Sequence, residues 1–339
     1  MALAARCLAD RPAEVARFLA TAAGRSFATG EAFEHALDLH EAPRDRRCFV
    51  VTDGGRLVAA LPGRLERRFG GAWFRAQPHG TPAGPVFAAD SDDALRASAA
   101  SVLWPALAQA ARDEGWLGGD VTLHGPAAAA RALWPGAGLG SLRTDEAHVI
   151  DLADGVERWR ASLSNASRRM IAQASRRGVS FESGSFDALE ETYALFLAQA
   201  RRWGLSRVRP LSFYRALLEP GGARLWVARL AGRVVCGVLA FALPEETYLW
   251  WSGSSPDARP VRAYPATIAR IVEECGSARV NLGFSGRQAR LTDFKEGLGA
   301  RPLTVPIVEL AARARTPWHA LLAAARDGVR RRRLHESPA

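Results

Sequence analysis

Apolar residues recur along the chain at two spacings, every three to four positions in some stretches and in short compact runs in others. The first spacing predicts helices with one buried face, the second predicts strands. An amphipathic helix over about 12–23 is followed by a shorter one over about 30–40, and the same pair returns over about 187–202 and 211–218. A hairpin comes next in each case, its turn at Asp53-Gly54-Gly55 or at Ala231-Gly232. A third strand holds Trp73-Phe74 in one half and Tyr248-Leu-Trp-Trp251 in the other. A long Ala-rich helix over about 92–114, with a counterpart over about 264–275, stops at Gly115 or Gly276. Another strand then begins, Asp120-Val-Thr-Leu-His124 or Arg279-Val-Asn-Leu282. Helices alternating with hairpin-linked strands predict an α/β class with a mixed, mainly antiparallel sheet flanked by helices.

The two halves match in residues as well as in order. Phe18-Leu-Ala-Thr-Ala22 returns as Phe196-Leu-Ala-Gln-Ala200, and Phe33-Glu-His-Ala-Leu-Asp38 as Phe213-Tyr-Arg-Ala-Leu-Leu218. Cys48-Phe-Val-Val-Thr52 corresponds to Leu225-Trp-Val-Ala-Arg229. The offsets are 178, 180 and 177 residues, near-constant spacing that a tandem duplication explains. The expected division is a first copy over 1–150, a second over 151–312 and a basic C-terminal helix or tail over 313–339. The linker is expected near Pro135–Asp154, where Gly and acidic residues gather.

Composition narrows the function classes. No apolar run is long enough to span a bilayer, and Arg6, Asp10, Arg11 and Glu14 interrupt the N-terminal stretch where a signal peptide needs an apolar centre. A cytoplasmic protein is expected. Cysteines 7, 48, 236 and 275 are scattered, so buried free thiols are expected rather than a zinc site or disulfide frame, and no metal is called for. The net charge of +10 favours anionic partners such as nucleic acid, phosphorylated metabolites or a membrane surface. Of the 45 basic residues only Lys295 is a lysine. An ammonium and a guanidinium differ in shape, hydration and ease of pKa shift, so the one surviving lysine marks a position that needs an ammonium.

From Ser164-Asn-Ala-Ser-Arg-Arg to Phe294-Lys-Glu-Gly-Leu-Gly299 the sequence resembles the FemAB-like acyltransferases of the GNAT superfamily. The resemblance rests on the Arg168-Arg169…Arg176-Arg177-Gly178-Val179 helix and the Gly-Arg-Val-Val-Cys-Gly-Val hairpin. It rests also on Trp251-Ser-Gly-Ser-Ser255 ahead of Pro265, and on Asp293-Phe294-Lys295-Glu296. In the first copy, Thr81-Pro82-Ala83-Gly84-Pro85-Val86 is similar to the family's Pro-Arg-Gly-Pro-Val segment. The resemblance implies two tandem GNAT-like domains. It also implies transfer of an acyl or aminoacyl group, from acyl-CoA or aminoacyl-tRNA, to a primary amine on a small molecule or peptide. Two departures stand out. Ala83 replaces the arginine of the cross-bridge enzymes, and neither copy has the Arg/Gln-x-x-Gly-x-Gly/Ala loop that cradles coenzyme A pyrophosphate. A non-catalytic module that binds tRNA or another anion is the alternative.

Acyl transfer needs a neutral amine, an oriented carbonyl and a stabilised oxyanion. Lys295, at the family's lysine position, is the first candidate for the last task, in a cleft expected between the two copies. Asp293 and Glu296 are the nearest carboxylates and candidate proton acceptors. Tyr248 and Trp251 share one strand and are candidates for a pocket wall. Tyr264 opens the long helix where an anion meets free N–H groups, and Phe294 adjoins the lysine. Arg168 and Arg169 suit phosphates, and His79 lies in a loop. No hydrolase triad, zinc motif, Walker loop or Rossmann fingerprint occurs in the sequence.

Overall fold

The computed structural model describes residues 3–41, 45–68, 71–76, 83–123, 133–134, 140–205, 208–219, 222–286 and 288–310. His79 and the C-terminal segment expected to be helical over 317–333 lie outside the described residues. The chain divides into two compact units, one of Met1–Asp145 with the chain from Thr304, the other of Glu146–Leu303.

The first unit runs β1 (Leu3–Leu8), α1 (Ala13–Thr21), α2 (Glu31–Asp38), β2 (Arg46–Asp53), β3 (Arg56–Arg68), β4 (Gly71–Arg75), β5 (Val86–Phe87), α3 (Asp93–Asp113) and β6 (Gly119–Thr122). Its strands lie in the order β1-β2-β3-β4-β6. Pairing is antiparallel except between β4 and β6, which run parallel through Phe74↔Gly119 and Arg75↔Asp120. Gly54 and Gly55, at φ 54° and 89°, make the tight β2–β3 turn that residues with a Cβ rarely adopt. Phe74 stacks on Trp116 with centroids 5.1 Å apart, and Phe49 meets both edge-on to form a buried aromatic centre.

The second unit takes its first strand from β7 (Gly140–Asp151), then α4 (Val156–Ser162), α5 (Asn165–Arg176), β8 (Val179–Ser183), α6 (Phe186–Arg202) and α7 (Leu211–Leu217). The hairpin β9 (Arg224–Leu230) and β10 (Arg233–Ala242), β11 (Thr247–Ser254), α8 (Ala263–Glu274), β12 (Arg279–Phe284) and α9 (Ala289–Gly297) follow, and β13 (Arg301–Leu310) belongs to the first unit from Thr304 on. The sheet of the second unit has the order β8-β9-β10-β11-β12-β7, and the one parallel contact is again short, Thr247↔Val280 and Tyr248↔Asn281. The duplication read from the sequence is therefore present in strand order and in the place of the parallel pair.

Unit membership follows strand pairing rather than chain order. The end of β13 pairs with β6 through Ile307↔Thr122 to Leu310↔Gly119, while the end of β7 pairs with β12 through Val280↔Ile150. The segment expected as a linker thus contains a strand. Its apolar positions explain why: Ala147 and Ile150 are buried, and that burial outweighs the local glycine and acidic content.

The second sheet is covered on both faces. Helix α6 approaches so closely that a Cβ on Gly237 would stand 2.2 Å from Thr192 Oγ1, and one on Gly253 would stand 2.5 Å from the Thr192 carbonyl oxygen. Tyr214 of α7 stacks on Trp251 with centroids 4.8 Å apart. The core that includes Val238, Ala240, Ile268 and Ile271 joins β10 to α8, and Ala174 of α5 belongs to it. Among the cysteines Cys48 and Cys236 are buried and Cys275 is half-buried, but Cys7 is exposed because it lies on an edge strand. No described helix is long and apolar enough to cross a membrane.

Candidate active site

The site is built where β12 ends and α9 begins. Beyond Tyr248↔Asn281 the strands β11 and β12 no longer pair. Gly283 then turns at φ 71°, with its N–H donating to Asn281 Oδ1 at 2.9 Å. At this end of β12, where Phe284 still pairs with Ala147 of β7, the carbonyls of Gly283 and Phe284 also receive a donor from α9.

That donor is Lys295. Helix α9 is pinned at its end by Trp159, whose indole N–H donates to the Leu298 carbonyl at 2.9 Å, and by Ser167 Oγ, which donates to the Gly297 carbonyl. Phe294 stacks on Tyr264 of α8 at 5.8 Å with rings 19° apart. So held, Lys295 is only 5% exposed. Its Nζ donates to Gly283 O at 2.8 Å and to Phe284 O at 2.9 Å. An ammonium has three N–H groups, so one remains without a partner among the described residues. Burial draws the Lys295 pKa down from 10.5 to about 8, because a low-dielectric surrounding disfavours the charged form.

Lys295 lines a cavity of about 720 Å³, and every described residue of its wall belongs to the second unit. Met170, Leu205, Leu282, Phe284, Leu291 and Phe294 give the cavity an apolar wall. Tyr264 is also on the wall, its hydroxyl pushed up to about 12 by burial despite a hydrogen bond with Ser252. A more open groove of about 960 Å³ adjoins it and shares Gln199, Trp203, Ser254, Ser255, Arg259 and Arg262. Arg202 also lines the groove. Arg262 caps the start of α8 in the left-handed region at φ 59°, a conformation that costs a residue with a Cβ and recurs at ligand clamps. The positive end of the α8 dipole adds to these guanidinium groups.

Behind the lysine lies a group that sequence reasoning missed. His148 of β7 is fully buried, and its Nδ1 is 2.9 Å from Ser285 Oγ. Its Nε2 has no hydrogen-bond partner among the described residues and lies 3.7 Å from Glu146 Oε1 and 4.0 Å from Glu296 Oε1. Burial pulls the His148 pKa below its ordinary value, the Lys295 charge lowers it further, and the two carboxylates oppose both effects. Ser285 and Glu296 stand far along the chain from His148, so no local motif could have found the cluster.

The other sequence candidates are scattered. Asp293 and Glu296 are exposed on α9, and the Lys295 ammonium bonds to backbone carbonyls instead of either carboxylate. Tyr248 and Trp251 are buried in the unit's interior and do not line the cavity, and burial pushes the Tyr248 hydroxyl upward. Arg168 and Arg169 are exposed on α5, Arg168 bonding to Asn165 Oδ1 at 2.8 Å. Tyr264, Phe294 and Lys295 are the candidates brought together. Among the described residues no cluster of His, Cys, Asp or Glu is arranged to hold a metal ion.

Residues 158–296 match the family model described as an acetyltransferase (GNAT) domain. No curated protein sequence matches the chain. Among solved structures, FemX superposes with a TM-score of 0.66 at 11% identity, covering 91% of this chain and 97% of its own. The C-terminal domain of a protein described as a lysylphosphatidylglycerol synthetase from Agrobacterium fabrum gives 0.52 at 16% identity, over 90% of this chain and 96% of its own. L-PGS from Bacillus licheniformis gives 0.50 at 15% identity, over 86% and 95%.

Proposed function

We propose that the chain is an N-acyltransferase of the GNAT, FemAB-like type working in the cavity of its second unit, a reading supported by the match of residues 158–296 to the GNAT acetyltransferase model and by the fold shared with FemX. It moves an acyl or aminoacyl group from an activated donor, acyl-CoA or aminoacyl-tRNA, to a primary amine on a small molecule or peptide. The observation that carries this reading is Lys295, a buried ammonium with two N–H groups fixed on backbone carbonyls and the third left over at a cavity wall.

The chemistry follows from that geometry. The neutral amine attacks the donor carbonyl, a C–N bond forms, and the carbonyl oxygen takes up negative charge. The remaining Lys295 N–H is the donor for that oxyanion, and it is worth most where water is excluded. Collapse breaks the C–S or C–O bond to the carrier, and the proton lost by the amine ends on the departing sulfur or oxygen. Tyr264, kept protonated by its raised pKa, is a second donor on the wall. Arg202, Arg259 and Arg262 along the adjoining groove suit the phosphates of either carrier.

The test is donor consumption that depends on added amine. The purified protein is incubated with acyl-CoA or aminoacyl-tRNA and a panel of primary amines, and free thiol or deacylated tRNA is followed. Amine-dependent release that Lys295→Met abolishes is expected. Tight donor binding without release, in the wild type and the variant alike, favours the binding-module alternative.

A further inference from the structure

We infer that the acyl group carried into the cavity is uncharged and apolar, so the donor is an acyl thioester with a hydrocarbon or aromatic acyl group rather than an aminoacyl ester. This rests on the reading of the cavity as the acyl-donor site and names the class of group it takes.

The charges on the cavity wall are all of one sign. Lys295, Arg259 and Arg262 line the cavity, and among the described residues of the wall none is acidic. An aminoacyl group brings an α-ammonium. Held here, it would face three like charges with no carboxylate to meet it, after giving up its own water. Sites that accept a buried cation supply a counter-charge or an aromatic face free to receive it. Of the rings on the wall, Tyr264 and Phe294 already cover one another at 5.8 Å. Trp203 lies at the portion shared with Arg259 and Arg262, and Phe284 adjoins the Lys295 ammonium through its own carbonyl, so each ring is paired with another or set beside a like charge.

Shape and chemistry then agree on what does fit. Leu282, Phe284 and Leu291 line the cavity but not the adjoining groove, and so does Lys295, whereas Arg259 and Arg262 line both. An anionic carrier therefore has its partners at the shared portion, the carbonyl has the ammonium, and the group beyond the carbonyl meets mainly apolar side chains, with Ser252, Tyr264 and Gln288 as uncharged polar neighbours. At about 720 Å³ the cavity holds a good deal more than an acetyl group, since small-molecule sites run from ~300 to ~1,000 Å³. Burying an apolar chain against that wall adds affinity in proportion to the area removed from water.

The test changes one charge and nothing else. Trimethylammoniobutanoyl-CoA and its carbon isostere, with a quaternary carbon in place of the quaternary nitrogen, have nearly the same size and shape. Calorimetric titration of the full chain with each, and with free coenzyme A, gives three dissociation constants. The neutral ester is expected to bind about tenfold or more tightly than the cationic one, and more tightly than free coenzyme A. Equal or tighter binding of the cationic ester overturns the inference while leaving the donor site intact. No binding by any of the three overturns the coenzyme A donor reading, and this inference with it. Leu291→Glu adds a carboxylate to the wall and is expected to narrow or reverse the preference. Should that variant not fold, the wild-type comparison still decides.

Discussion

Ser285 Oγ and His148 Nδ1 are 2.9 Å apart in a fully buried setting, and this pair anchors the peptide whose carbonyl holds the lysine. The same peptide is fixed through its N–H, which donates from Ser285 to the Glu146 carbonyl at 3.3 Å, while its Phe284 oxygen accepts from Lys295 at 2.9 Å. His148 is thus a positioning residue for the ammonium. His148→Phe is expected to leave the serine hydroxyl unpaired, to cost about 1–3 kcal/mol of stability, and to lower kcat more than it changes KM. His148→Asn, whose amide reaches the Nδ1 position, is expected to restore much of the rate. A purely structural role would move stability and leave the kcat pH profile of the folded enzyme unchanged.

Lys295 gives the pH dependence a definite sign. Burial lowers its pKa from 10.5 to about 8, so the ammonium that the proposed reaction places at the oxyanion is present below about pH 8 and lost above it. The acyl-transfer rate is expected to fall as pH rises through that value. Stability moves the other way. Between about 8 and 10.5 the unfolded chain holds this proton and the folded one does not, so the contribution of this group to stability rises with pH. Below about 8 both states carry the charge and the full burial cost, on the order of 3 kcal/mol, is present. Denaturant titrations across this range are expected to show a rise in the wild type that Lys295→Met lacks.

Arg262 separates stability from binding. Its left-handed backbone, φ 59°, is natural for glycine and strained for arginine. Arg262→Gly is expected to raise stability by about 1 kcal/mol and to weaken donor binding about tenfold through loss of the guanidinium. Thermal denaturation and a donor titration on the same sample check both signs.

Gly253 tests how closely α6 rests on the sheet. A Cβ there would stand 2.5 Å from the Thr192 carbonyl oxygen and 2.8 Å from the Phe196 nitrogen, both backbone atoms that cannot swing aside. Gly253→Ala is expected to cost about 3 kcal/mol or more, read as a lower denaturant midpoint. Gly178→Ala meets no atom within 4 Å and pays only for its φ of 76°, so it is expected to cost less.

What could be read in the sequence was what local spacing encodes. The Phe-Leu-Ala and hairpin repeats announced the duplication, and the glycine stops placed the ends of α3 and α8. The lone lysine pointed to a residue that the fold buries at a cavity wall. Three features depended on contacts that no window of sequence contains. The pairing of β13 with β6 and of β7 with β12 follows from which strand edges are open after folding, not from order along the chain. His148 sits in an ordinary alternating strand, and its partner Ser285 is 137 residues away. Tyr248 and Trp251 read as a pocket wall because aromatics suit both cores and pockets, and helices α6 and α7 take up Trp251 through Phe196 and Tyr214.

The account stands on the ammonium of Lys295 acting at the reacting carbonyl, and a single-turnover measurement of amine acylation with Lys295→Met tests it most directly. With the variant shown to be folded and saturated with donor, the rate of the chemical step is expected to fall by about 10²–10³-fold while the donor dissociation constant changes little. An unchanged single-turnover rate in that folded, donor-saturated variant would contradict it.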